Sequence, residues 1–457
     1  MPSYLKLNLK KYLVSSSKSR LAGIIKLILP IFIIWLVLII VVVAIDYKLS
    51  CHEVFCQKGQ SVSNLAQDVA RPWDGGWYMS IVEHGYNYSP ALDKQFNVAF
   101  FPVAPLVYKF FRLISFNNSN LYLSLSILFN LILFLLTIAL SLRIVELIIN
   151  KKLSNTKLIL VSMLALALPS NFFISTIYAD SILIFCLSAC LFFAIKGSLF
   201  RASIFAAIAS ATKSIGLAGF LIILTYFILK ILESFKTKAP LVKLSVIIPY
   251  LLISLSGIIG YSLYLKAEFN EPLAFIKVQK TWGRNTDSNA VSSAKKIIKN
   301  NILGLSNPRR LPESNVDSGV ENKLNERSVR LAKIIYAIFN TLNFIVVSLF
   351  TPLTLLLYLK KKGYQKQPDA ALLLCSLTTT LWLIPALTGT LWSMNRYLIL
   401  PSILITILIA SLYLERYYTG SPKRLKIISA QFIALATVSE FAQLLFLWCF
   451  INWIFVG

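Results

Sequence analysis

Residues Ile24–Ile45 read IIKLILPIFIIWLVLIIVVVAI, a run of 22 positions with one lysine and one proline. At about 1.5 Å per residue a helix of that length spans roughly 33 Å, enough to cross ~30 Å of hydrocarbon. It is too long for the apolar core of a cleavable signal and reads as a signal anchor. Comparable runs recur near residues 120–142, 157–176, 180–197, 243–265, 331–359, 369–391, 397–414 and 426–455. The stretch 200–233 is too long for one span, and Lys213, Ser214 and Gly216 interrupt it, so it reads as two helices meeting at a tight turn. The expectation is an all-α integral membrane protein with about 11 transmembrane helices.

Composition agrees. Of 457 residues 57% are hydrophobic and 14% charged, against about 25% charged in soluble domains; a water-soluble globular protein and a disordered chain are both excluded. The 45 basic and 19 acidic residues give +26, but the basic residues flank apolar spans: Lys6, Lys10, Lys11, Lys18 and Arg20 precede the first, and Lys360, Lys361, Lys362 and Lys366 follow a later one. That is an orientation signal, not a nucleic-acid surface. It makes 1–22 a cytoplasmic segment and 23–457 a single polytopic membrane domain. Loop 46–119, with Asp46, Glu53, Asp68, Asp74, Glu83 and Asp93, faces outward. Loop 266–330, basic but long enough to escape the charge rule, also falls outside. Cys186, Cys190, Cys375 and Cys449 lie in apolar runs as small hydrophobes; Cys51 and Cys56 share the first polar loop, where an oxidising compartment permits a disulfide. Phe96–Ile114, broken by Pro102 and Pro105, reads as an interfacial helix, and Ala294–Leu305 as a second surface helix.

Ionisable groups beside apolar spans are costly, so their clusters are the candidate site. Five fall on the same expected outer face. In Arg71-Pro-Trp-Asp-Gly-Gly-Trp-Tyr, Asp74 is a candidate general base between Trp73 and Trp77; on a helix it shares a face with Tyr78, and Glu83 and His84 follow. Asp180 in Tyr178-Ala-Asp180, taken alone, reads as a helix cap. Lys213 at the turn either meets a phosphate as a point charge or snorkels to the interface. Gln279, Trp282 and Arg284 form the fourth cluster, and Arg396, a cation on a face that disfavours cations, the fifth. A carboxylate and several cations at one lipid boundary suit reaction of a lipid-linked phosphosugar: the carboxylate takes the acceptor proton and the cations neutralise the departing phosphate.

These stretches resemble the PIG-V family of GPI mannosyltransferases and its bacterial relatives, within the polytopic GT-C-type glycosyltransferases. The resemblance rests on Trp73-Asp74 with Ile81-Val-Glu-His-Gly-Tyr86, Ala99-Phe-Phe-Pro102, Tyr178-Ala-Asp-Ser181, Thr212-Lys-Ser214, Gln279 with Trp282, and Arg396 with Pro401. It implies an outer-loop catalytic acid, here Asp74, and a polyprenyl- or dolichyl-phosphate mannose donor. It implies no nucleotide-sugar site and no cofactor; donors of this kind usually react without a metal in the family, while Asp74, Glu83, His84 and Asp180 are of the residue types that could bind a hard cation. The family often carries Glu at the position of Asp180 and Arg-Ser-Asn-Gly where this chain has Lys213-Ser-Ile-Gly, so a bidentate contact becomes a point charge.

The expectation is therefore a membrane-embedded inverting glycosyltransferase on the extracytoplasmic or lumenal face, with a glycolipid or other hydroxyl acceptor. Its membrane would be the plasma membrane of a bacterium or the endoplasmic reticulum of a eukaryote. Its partners are the donor, the acceptor and membrane lipids, with no nucleic acid. Asp74 is its base; Trp73, Trp77, Tyr78, Glu83, His84, Asp180, Lys213, Gln279, Trp282, Arg284 and Arg396 bind substrate. A transporter or lipid flippase is the alternative, weakened by the absence of an evident repeat and by the placement of the charges at span ends.

Overall fold

The computed structural model describes residues 15–49, 69–70, 72–92, 94–282, 334–335, 338–349, 351–352, 368–387, 394–418 and 422–451. Cys51, Cys56, Arg71, Arg284, Ala294–Leu305 and most of loop 266–330 lie outside these residues, and so do the readings made for them.

The chain is an all-α integral membrane protein, without strands among the described residues. In chain order the helices are α1 Ser15–Leu49, α2 Asp74–His84, α3 Val103–Ile114, α4 Ser119–Ile148, α5 Asn155–Leu166, α6 Asp180–Ile195, α7 Leu199–Ser210, α8 Ala218–Thr237 and α9 Leu244–Phe269. They continue as α10 Ala274–Lys277, α11 Ile338–Leu349, α12 Pro368–Leu387, α13 Met394–Tyr397, α14 Ile399–Tyr417 and α15 Pro422–Ile451. Each apolar run of the sequence has a helical counterpart here. Among the described residues seven helices are long and apolar enough to cross a bilayer; α6, α7 and α11 are shorter apolar helices.

The run 157–176 is not one straight span. It is α5 followed by a 3-10 segment Pro169–Ser175, bent by 78°. Pro169 cannot donate to the α-helical ladder, and the carbonyls this frees are met by side chains. Asn171 Nδ2 donates to Ala165 O and Leu166 O, and Ser439 Oγ of α15 donates to Ala167 O at 2.7 Å. Backbone groups in hydrocarbon need such partners. The bend carries Phe172, Phe173 and Tyr178 to one end of the bundle.

The expected double helix at 200–233 is present: α7 ends at Ser210, Ser214–Leu217 forms a 3-10 turn, and α8 leaves it. Helix α7 is lined with small residues, Ala202, Ala206, Ala209 and Ser210, all buried. Gly257 of α9 and Gly219 of α8 lie directly on its backbone; a Cβ at Gly257 would overlap the Ala207 carbonyl. Close approach of this kind is how helices associate in lipid, where no hydrophobic gain drives them together. Gly257→Ala is therefore expected to cost about 1–3 kcal/mol through overpacking, read as a lower thermal midpoint of the detergent-purified protein; an unchanged midpoint would contradict the tight α7–α9 contact.

Within Phe96–Ile114 the described helix is α3, preceded by a 3-10 turn at Asn97–Ala99. Helix α3 buries Ala104, Pro105 and Tyr108, and leaves Leu106, Phe110, Leu113 and Ile114 exposed, the amphipathic profile of a helix lying along lipid.

The two ends of the bundle differ in their chemistry. At one end Glu146 of α4, fully buried, is paired with Arg20 of α1 and, at 2.7 Å, with Arg143, and accepts from the Leu153 backbone N–H. Beside it Glu415 of α14 is paired with Lys151 and Lys157. The other end holds the candidate site.

Candidate active site

Four charged side chains from four parts of the chain meet at that end. Asp74 opens α2 and Asp180 opens α6. Lys213 precedes the 3-10 turn between α7 and α8, and Arg396 lies in the short α13 between α12 and α14. Arg396 Nη1 donates to Asp74 Oδ2 at 2.6 Å, and its Nη2 donates to Asp180 Oδ2 at 3.0 Å. Lys213 Nζ donates to the other Asp180 oxygen at 2.7 Å. The side chain of Asp180 is 1% exposed and that of Arg396 4%, whereas Asp74 keeps 26%. Asp180 is thus a closed anchor holding two cations; Asp74 is the open carboxylate of the group.

This corrects the cap reading of Asp180. Ala179 is the N-cap of α6, Asp180 is its first helical residue, and its oxygens accept from side chains, not from helix N–H groups. A carboxylate in the first turn still gains from the helix dipole, but two buried cations decide its role. Lys213 reaches inward to Asp180, so it does not snorkel. Its ammonium also lies 5.3 Å from the centre of the Tyr397 ring.

Tyr178 organises both sides of the ion network. Its ring lies 4.3 Å from the Arg396 guanidinium, a favourable cation–π placement. Its hydroxyl accepts from the Asp74 backbone N–H at 3.1 Å and donates to Pro72 O at 3.1 Å. Its carbonyl accepts from Tyr108 Oη at 2.9 Å and from Asn130 Nδ2, which also holds Thr176 O. Asn130 is a polar residue inside an apolar span, and that oddity was the signal by which sequence could have found this brace. On the other side Asn395 N donates to Asn340 Oδ1 at 3.0 Å, and Asn343 of α11 donates to Asn395 Oδ1 at 2.9 Å, fixing the backbone that carries Arg396.

The backbone around Asp74 is held under strain. Trp73 adopts φ 54°, a region costly for a bulky residue. Gly75 lies so close to the Ala70 carbonyl that any Cβ there would collide with it. The strained turn aims the first residue of α2 at Arg396.

Trp77 and Trp282 meet edge to face at 5.2 Å, and Phe100 stacks on Trp77 at 6.1 Å and meets Trp282 at 5.5 Å. Tyr78, one turn from Asp74, is buried against Phe100, Tyr108 and Tyr178. Its hydroxyl has no hydrogen-bond partner among the described residues. Burial, then the charges of Asp180 and Asp74, push that phenol well above its ordinary range, so it keeps its proton.

Two of the expected site residues stand apart. Glu83 and His84 are exposed at the far end of α2, about 14 Å along the axis from Asp74 at the usual helical rise. Gln279 Nε2 donates to Phe275 O within its own turn. No group of three or more His, Cys, Asp or Glu side chains that could hold a metal occurs among the described residues.

The fold and this site define a multi-pass helical membrane protein with a charged, aromatic-walled cluster at one end of its bundle. No protein-family model matches the sequence, and no curated protein matches it. Among solved structures it is similar to an oligosaccharyltransferase of Archaeoglobus fulgidus crystallised with zinc and sulfate, at 14% identity and a TM-score of 0.43 over 91% of this chain. The chain spans 53% of that protein's length. The chemistry of the site rests on its own geometry.

Proposed function

We propose that the chain is a membrane-embedded glycosyltransferase of the GT-C type. It moves a sugar, mannose by the PIG-V-like resemblance, from a polyprenyl- or dolichyl-phosphate donor to a hydroxyl of a glycolipid or similar acceptor, with inversion. The observation that carries the reading is Asp74: a partly open carboxylate, set by a strained turn, beside a guanidinium locked to a second, buried acid.

In this reading the acceptor hydroxyl gives its proton to Asp74 as its oxygen attacks the anomeric carbon. The leaving phosphate is neutralised by Arg396 and Lys213, both held at the site by Asp180. Trp77, Phe100 and Trp282 offer the apolar faces on which a sugar ring stacks. The basic amino terminus and the position of Arg20 and Glu146 at the opposite end support placing the site at the outer end of the bundle. The donor's hydrocarbon tail explains why such a site is built in a bilayer protein: each buried methylene is worth about 0.8 kcal/mol, so the donor stays in the membrane.

Membranes containing the protein should transfer label from a radiolabelled polyprenyl-phosphate sugar to a lipid-extractable or polymeric product, and membranes lacking it should not. A transporter or flippase would move the donor without consuming it, so an intact donor pool would reject the transferase.

A further inference from the structure

The four charges of the cluster cancel, two acids against two bases, and so these four side chains together carry no surplus positive charge for a phosphate. The two acids are not equivalent. Asp180 is enclosed and holds Lys213 through Oδ1 and Arg396 Nε and Nη2 through Oδ2. Asp74 holds one group, Nη1, through Oδ2, and its other oxygen has no hydrogen bond among the described residues. Removing a buried charge from its partner is costly, while a partly hydrated pair is worth little. Of the contacts Arg396 makes, the one to Asp74 is the one that another anion can take.

Building on the transferase reading, we infer that the donor's phosphate and the Asp74 carboxylate exchange on Nη1 of Arg396, so that arrival of the donor is what frees the base. A phosphate oxygen replaces Oδ2. Arg396 stays in place, because Asp180 keeps its Nε–Nη2 edge and the Tyr178 ring keeps its plane. Asp74 then has both oxygens open to an acceptor hydroxyl. As the bond from the acceptor oxygen to the anomeric carbon forms, the bond from that carbon to the phosphate oxygen breaks. The electron pair leaves on the phosphate, held by Arg396 and Lys213, and the acceptor's proton ends on Asp74. A protonated Asp74 does not compete for a guanidinium. Once it passes its proton to water, the carboxylate returns to Nη1 and displaces the lipid phosphate. The donor therefore binds before the acceptor is activated, and the lipid phosphate leaves as the base resets.

The test is an equilibrium titration of the full-length, detergent-purified protein with a short-chain prenyl monophosphate. If Asp74 holds Nη1 about nine-tenths of the time, Asp74→Ala should tighten binding about tenfold while transfer is lost. Asp74→Asn, the same shape without the charge, should move binding in the same direction and guards against a misfolded alanine variant. Arg396→Gln should abolish binding. Unchanged or weaker binding in both Asp74 variants, with a wild-type protein that binds and transfers, overturns the exchange and leaves the transferase standing. A wild-type protein that neither binds the prenyl phosphate nor consumes a phosphosugar donor overturns the transferase reading itself.

Discussion

Asp74→Asn is expected to lower sugar transfer by about a hundred- to ten-thousand-fold, the usual share of a positioned acid–base group, while the protein still inserts and purifies as a folded species. The substitution keeps the size of the side chain, and the strained turn at Trp73 and the Tyr178 hydroxyl on the Asp74 backbone N–H do not depend on the carboxylate. What is lost is a proton acceptor and one of four compensating charges. The measurement is the initial rate of label transfer in membranes, normalised to protein. Retention of more than about a tenth of the wild-type rate would fall short of the general-base range and remove Asp74 from the chemistry.

Asp180→Asn should act through stability as well as rate. Its side chain lies against Lys213 and Arg396 with 1% exposure, and Arg396 itself is 4% exposed, so the guanidinium has little access to water where it sits. Removing one partner of a buried pair typically costs about 3–5 kcal/mol, because the charge left behind is uncompensated. The thermal midpoint in detergent should fall well below that of Asp74→Asn, whose carboxylate is partly hydrated. Asp180→Glu keeps the charge and the cations within reach, so it should recover most of the stability. If Asp180→Asn were as stable as the wild type, the ion network would not be a structural knot and the anchoring role of Asp180 would be withdrawn.

Much of the architecture was legible because each span is a local property. The runs at Ile24–Ile45, 243–265 and 426–455 are long and apolar, and the Lys213–Gly216 interruption splits one stretch into α7 and α8. The 78° break after α5 was not legible as such; Pro169 marked it, but an apolar run of ordinary length concealed it. At the site, sequence singled out Asp74, Asp180, Lys213 and Arg396 one by one as costly polar groups beside lipid. Taken alone, Asp180 read as a helix cap, because a lone acid at a helix start has that local explanation; only its convergence with the other clusters placed it among the substrate-binding residues. Tyr108 and Asn340 went unmarked, since each is unremarkable until its partner is known; Asn130 went unmarked although a polar residue inside an apolar span is a legible oddity.

What the sequence alone determined is the set of helices, and the reason is the solvent: hydrocarbon offers no partner to a backbone N–H or C=O, so a long apolar segment has to satisfy its own hydrogen bonds as a helix. Which charges pair was decided only by the tertiary structure. Arg396 is 322 residues from Asp74 and 216 from Asp180, and an ion pair forms only within a few ångströms. That distance depends on how small-residue helices such as α7 let their neighbours approach and on the bend that carries Tyr178 under the guanidinium, neither of which is written in any one segment.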